Sequence, residues 1–162
     1  MINASSYKEF KDFCEEINQG GGTFLTGGNV KSGDMYDKGY FCEPTFVTDL
    51  PFSHRLWKHE MFLPITTIGK VSSMDEAMKI ANDVNYGLTA GFYGSPEETE
   101  WFFDKIEAGV TYANRPQGAT TGAWPGFQPF GGWKGSGSSG KNAGGHYYLP
   151  LYMHEQIRTL VK

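Results

Sequence analysis

Residues 114–137 read NRPQGATTGAWPGFQPFGGWKGSG. Seven glycines and three prolines fall in this stretch of about two dozen residues, so neither a helical nor a strand period can run through it. A loop of that length inside a compact domain is usually functional or disordered. Trp124, Phe127, Phe130 and Trp133 argue against disorder, because disordered segments are poor in aromatic residues. The glycines let backbone approach a bound group closely. The stretch therefore reads as a loop that holds a small molecule by main-chain N–H groups, and the remainder as the scaffold presenting it.

The scaffold alternates strands and helices. Ser5 or Ser6 can cap a helix to about Asn18, with Tyr7, Phe10, Phe13, Cys14 and Ile17 at helical spacing and glycines 20–22 to stop it. Thr23–Thr26 reads as a short strand, and residues 29–39 as a polar surface excursion. Residues 39–50 read as an extended segment in which Pro44 marks an edge strand or a position beside one. Ser53 can cap one helical turn before Pro64 forbids its continuation, and residues 65–71 follow as a buried strand. A helix from Ser73, with Glu76 completing a capping box, a strand over 88–93, a helix opened by Ser95-Pro96 and a strand over 109–113 complete the pattern. Strand–helix–strand–helix–strand with short connections predicts an α/β fold: a three-layer αβα arrangement with a mainly parallel sheet and right-handed crossovers. Ligands in such sheets bind outside the carboxyl ends of the strands, and the long loop leaves from one such end. Gly144, Gly145 and Pro150 argue against a further long helix, so residues 1–150 read as one domain. Residues 151–162 read as a tail strand that pairs with something distant.

The chain of 162 residues is long enough for one domain that buries about 70% of its unfolded surface. A net charge of -4 argues against nucleic acid and against an anionic membrane surface, and no apolar run approaches the length of a membrane helix. MINASSYKEF has neither the basic nor the apolar region of a signal peptide. Cys14 and Cys42 are the only cysteines and form no C-x-x-C, so reduced thiols in a cytoplasmic protein are expected. Cys14 lies on the apolar stripe of its helix and reads as a structural thiol.

Three motifs carry candidate chemistry. Residues 135–141, GSGSSGK, match most of a phosphate-cradling loop, but Asn142 replaces the hydroxyl residue that binds magnesium and the strand and helix such a loop needs are missing. His54, His59, His146 and His154 show no metal-ligand spacing, so no metal is expected. Glu60, in HEMFLPI, follows a short helical turn and precedes Pro64 and a buried strand. Taken alone it reads as an exposed carboxylate. Near a sheet edge a carboxylate that accepts two hydrogen bonds at once also suits the vicinal hydroxyls of a ribose, though on spacing alone the exposed carboxylate remains the stronger reading.

Five ordered pieces now carry a resemblance: GYFCEPT at 39–45, HEMFLPI at 59–65, AND with NYGLTAG at 81–91, EAGVTYANR at 107–115 and QPFGGWKGSG at 128–137. Along its whole length the chain resembles the C-terminal part of the NAD(P)-dependent aldehyde dehydrogenase superfamily. Gly122-Ala123 ahead of QPFGG is similar to the 1-pyrroline-5-carboxylate dehydrogenase subfamily, which oxidises glutamate semialdehyde to glutamate with NAD in proline catabolism. The resemblance implies that Glu60 holds the nicotinamide ribose hydroxyls and that Phe62 packs against that ribose. It implies that Gly122 and Ala123 bind the substrate's α-carboxylate through backbone N–H groups and that Phe130 packs along the substrate. A carboxylate met by main-chain donors gains roughly 1.5–3 kcal/mol per charge-assisted bond.

The family reaction is thiolate attack on the aldehyde, hydride transfer to NAD and hydrolysis of the thioester. The resemblance places the nucleophilic cysteine, the general-base glutamate and the glycine-rich part of the NAD site outside this chain. The expectation is therefore a partial enzyme: an incomplete NAD site, no catalytic residue, and a tail strand from an oligomerisation flap. Its expected partners are glutamate semialdehyde or a similar aldehyde, the missing N-terminal part of the enzyme, and further copies of itself. Alternatives are a non-catalytic oligomerising module and half of a split enzyme.

Overall fold

Asn3 opens the first helix, α1 (Ala4–Gln19), and its side-chain oxygen accepts the Ser6 N–H at 2.8 Å. The cap is thus Asn3, and Ser5 and Ser6 lie inside the first turn; of two capping residue types so close together, the backbone selected the earlier. Phe10, Cys14 and Ile17 occupy one face at spacings of four and three and are buried. The computed structural model of the protein describes residues 1–116, 126–137, 139 and 141–162. It divides into two units, Met1–Met74 and Asp75–Lys162.

In the first unit, β1 (Thr23–Thr26), β2 (Thr45–Thr48) and β3 (Ile65–Thr67) form a sheet in that order. β1 runs antiparallel to β2, and β3 parallel to it with Thr45 opposite Ile65. β2 is therefore central, not at an edge. Pro44 is tolerated because it lies one residue outside the ladder, which begins with Thr45 N–H donating to Pro64 O at 2.9 Å. Thr45 is the one buried polar side chain among the described residues, and its hydroxyl is satisfied: it donates to Glu43 O and accepts the Gly28 N–H, both at 2.9 Å. Phe10, Cys14, Ile17, Val47, Leu50, Leu56 and Ile65 form the core of this unit. The strand expected over 65–71 is shorter, ending its ladder at Thr67.

The second unit contains α2 (Met74–Asn82), β4 (Tyr86–Gly87), β5 (Thr89–Phe92), α3 (Pro96–Lys105), β6 (Val110–Ala113) and β7 (Trp133–Lys134). β5 and β6 pair in parallel with α3 between them, the crossover unit the sequence pattern predicts. β4 pairs antiparallel with β7. Ser95 caps α3, and its reciprocal bonds with Glu98 complete a capping box, with Pro96 in the first turn. Met78, Phe102, Ile106 and Ala108 form the core here, with Phe92 stacked on Phe102 at 5.0 Å between ring centroids. Helices and mixed sheets together make an α/β fold.

Beyond a short 3-10 turn at Leu149–Tyr152, residues 153–162 are exposed and form no ladder among the described residues. No helix among the described residues is long and apolar enough to cross a membrane.

Candidate functional site

The segment joining β2 to β3 is fixed at both ends. At its start, a 3-10 turn at Arg55–Trp57 is capped by His54, whose Nδ1 accepts the Leu56 N–H at 3.3 Å. Leu56 is buried in the core and Trp57 Nε1 donates to Leu50 O at 3.1 Å. At its end, Ile65 is buried and its N–H donates to Leu63 O at 2.7 Å. Between these anchors, Leu56, His59, Glu60, Met61, Phe62 and Thr67 line part of a depression of about 430 Å³. Met61 and Leu63 turn toward the core while Glu60 and Phe62 face solvent. Two of the predicted site residues therefore share one concave surface.

Phe62 stands out on two counts. Its φ is +57°, in the left-handed region that a bulky residue seldom adopts, and its side chain is 87% exposed. Such a conformation costs on the order of 1–3 kcal/mol and persists only where surrounding structure enforces it. The chain thus strains its backbone to display an aromatic ring that contributes little to its own core. Glu60 makes no hydrogen bond or ion pair among the described residues, so its carboxylate is free to accept both vicinal hydroxyls of a sugar.

The loop of the second unit starts from an equally defined point. Asn114 has φ +50° at the end of β6, and its side-chain amide bonds both backbone groups of Gly94, accepting from N at 3.0 Å and donating to O at 2.9 Å. Its own N–H donates to Phe92 O at 2.8 Å, and Tyr93 OH donates to Arg115 O at 2.6 Å. Gly122 and Ala123 lie outside the described residues. Phe130 is half-buried and pairs with Ala143 through two backbone hydrogen bonds of 2.6 and 2.9 Å. Directly after it the chain crosses Gly109 so closely that a Cβ there would lie 1.9 Å from Gly131 O. The glycine of EAGVTY is thus required by the return of QPFGG over it. Phe130 belongs to the second unit, Glu60 and Phe62 to the first.

Neither thiol is set up as a nucleophile. Cys14 is 8% exposed, and burial, with a smaller contribution from Cys42, pushes it up to about 11. Burial also raises Cys42. Among the described residues no group of three metal-ligating side chains comes together. Around the glycine-rich 135–141 segment, β7 is a two-residue strand and no α-helix follows among the described residues, while Lys141 Nζ sits 4.2 Å from the Tyr147 ring centroid. The strand-to-helix setting of a phosphate loop is lacking.

Two features escaped the sequence reading. Asn at a strand end is a weak indicator of left-handed backbone, and Asn114 could have been noticed on that ground. The contacts that hold residues 54–58 reach 39 positions back to Glu16 and leave no local trace.

The sequence pattern of the aldehyde dehydrogenase family matches residues 1–157. The 1-pyrroline-5-carboxylate dehydrogenase of Bacillus licheniformis is 40% identical over 161 residues, covering 99% of this chain and 29% of that protein. An alpha-ketoglutarate semialdehyde dehydrogenase of Haloferax volcanii is 37% identical over 153 residues, covering 94% of this chain and 30% of that protein. Among solved structures, a Thermus 1-pyrroline-5-carboxylate dehydrogenase with bound NAD superposes with a TM-score of 0.82 at 34% identity, over 94% of this chain and 28% of that one. The chain therefore spans less than a third of the length of these proteins.

Proposed function

Because this chain belongs to the aldehyde dehydrogenase family, we propose that it forms the later part of an NAD-dependent enzyme that oxidises glutamate semialdehyde, or a similar carboxylate-bearing aldehyde, to the corresponding acid. The observation that carries this reading is the displayed, strained Phe62 beside the unpartnered Glu60 in one depression. Those two residues fit a nicotinamide ribose: Glu60 accepts its two hydroxyls and the Phe62 ring packs on its face. NAD, when bound, supplies the hydride acceptor. Gly122 and Ala123 offer backbone N–H groups to the substrate's carboxylate, and Phe130 packs along its aliphatic part. The names of the Bacillus and Haloferax relatives support this substrate class, and the NAD in the Thermus structure supports the cofactor.

The nucleophilic cysteine and the general-base glutamate belong to polypeptide other than this chain. Cys14 is buried and protonated near neutral pH, and Cys42 is pushed the same way. The chain alone is accordingly inactive and acts in the cytoplasm as part of a larger oligomeric enzyme, with residues 151–162 as a strand that pairs with another copy.

Saturation-transfer NMR of the purified chain with NAD tests the reading. Transfer to the nicotinamide ribose protons is expected, falling sharply in Phe62→Ala and in Glu60→Gln. Equal transfer in all three proteins, or none in the wild type, overturns it. Formation of NADH from glutamate semialdehyde by the chain alone would overturn the claim of inactivity, and Cys14→Ala and Cys42→Ala would show which thiol had acted.

A second reading, a non-catalytic oligomerising module, is favoured by one observation. Ile157, Leu160 and Val161 are all more than four-fifths exposed, apolar surface of the kind that seeks a partner. A strictly monomeric chain by light scattering would remove it.

A further inference from the structure

The strain at Phe62 needs a source of restraint. Its ring is almost wholly exposed, so its own packing does not hold the backbone in the left-handed region. On the downstream side the restraint is the β2–β3 ladder, where Thr45 N–H reaches Pro64 O. On the upstream side the ladder is absent, and to the buried Leu56 and the Trp57 bond to Leu50 O α1 adds a further restraint. Arg55 places its guanidinium fork on Glu16, with Nε donating to Oε1 at 2.7 Å and Nη2 to Oε2 at 2.5 Å. The same guanidinium lies 5.5 Å from the Phe13 ring centroid, and the His59 ring lies 5.7 Å from that centroid. Arg55 O in turn accepts the N–H groups of Lys58 and His59, at 3.0 and 3.1 Å. One face of α1, formed by Phe13 and Glu16, thus grips Arg55 and His59, and Glu60 is the next residue along the chain.

We infer that Arg55 and Glu16 are positioning residues for the nicotinamide-ribose contact: their fork holds the upstream end of the segment so that Glu60 and Phe62 keep the geometry a ribose needs. This rests on the ribose reading given above and adds residues that touch no ligand themselves. A planar fork against a carboxylate fixes direction as well as distance, which a lysine ammonium does not. Arg55 is 55% and Glu16 30% exposed at the side chain, so their pairing contributes little to global stability. Its effect falls on local geometry, where a displacement of about 1 Å changes function far more than it changes folding.

The test is NAD binding by the full chain, followed by saturation-transfer NMR and paired with thermal unfolding of each variant. Arg55→Met and Glu16→Gln are each expected to weaken binding about tenfold with little change in melting temperature. The double variant should be no weaker than either single one, because both remove the same fork. Exchanging the pair, Glu16→Arg with Arg55→Glu, should restore part of the binding while the melting temperature stays level across all the variants, a combination that a merely structural role does not produce. Wild-type binding that persists unchanged in Arg55→Met overturns the positioning role and leaves the ribose reading intact. Loss of binding that tracks loss of fold, without recovery in the exchanged pair, also overturns it. No binding by the wild type overturns the ribose reading and the positioning role together.

Discussion

The two units of this chain are held together by different means. In the first, Phe10, Ile17 and Val47 are wholly buried, and seven side chains from α1, the strands and the connecting turns interlock. In the second, the buried cluster among the described residues has four members and none of these is wholly excluded from solvent. Its order comes instead from polar clamps and close backbone approaches. Asn82 donates to Lys105 O at 2.8 Å and accepts the Glu107 N–H at 2.9 Å, tying the end of α2 to the end of α3. Lys134 Nζ bonds both Glu107 and Asn82 O. Asn114 fastens the loop exit to Gly94. Directional bonds thus tie the ends of α2 and α3 and the end of β6 with few residues.

Substitutions can break or sharpen this contrast, and native-state hydrogen exchange at the Val47 and Phe102 amides reads each unit. Ile17→Ala removes a fully buried side chain from the first unit and should cost about 4 kcal/mol there. Gly109→Ala drives a methyl into the Gly131 carbonyl and should cost the second unit about 3 kcal/mol, since backbone has to move. Asn82→Ala deletes two side-chain-to-backbone bonds and should cost about 1–2 kcal/mol, again confined to the second unit. If Asn82→Ala proved as damaging as Ile17→Ala, the distinction between a packed and a clamped unit would fall.

The smallest effect at neutral pH concerns Cys14, whose thiol is raised by burial to about 11 from an ordinary 9.0. A raised thiol value contributes stability that is complete below the unfolded value and lost as pH rises through the folded one. Unfolding of the first unit should therefore ease between about pH 9 and about pH 11, and Cys14→Val should flatten that dependence in a denaturant series.

Local signals were legible in the sequence and distant ones were not. Thr23–Thr26 and the Ser95 cap with Pro96 follow from residues only a few positions apart, and both stand as read. Of the two places the proline rule allows residues 39–50, at an edge or beside one, the structure takes the second: β2 lies between the edge strands β1 and β3, and its ladder begins one residue after Pro44, at Thr45. The first helix took Asn3 over Ser5 and Ser6, and the turn at Arg55–Trp57 took His54 over Ser53, since capping types that crowd together are sorted by backbone geometry. The sequence context near a sheet edge already singled out Glu60, while the ribose roles proposed for Glu60 and Phe62 rest on the resemblance to a family. Nothing local in HEMFLPI announces a left-handed phenylalanine, and nothing announces that Arg55 answers to a glutamate on α1.

Position 62 places two kinds of selection in opposition. Judged on backbone alone, it favours glycine or asparagine, which occupy the left-handed region at little cost. Judged on the ring it displays, it favours an aromatic. A library screened for thermal resistance would drift toward Phe62→Gly or Phe62→Asn, while under the proposed ribose contact one screened for nucleotide capture would return aromatics, so the residue recovered would report which pressure had been applied.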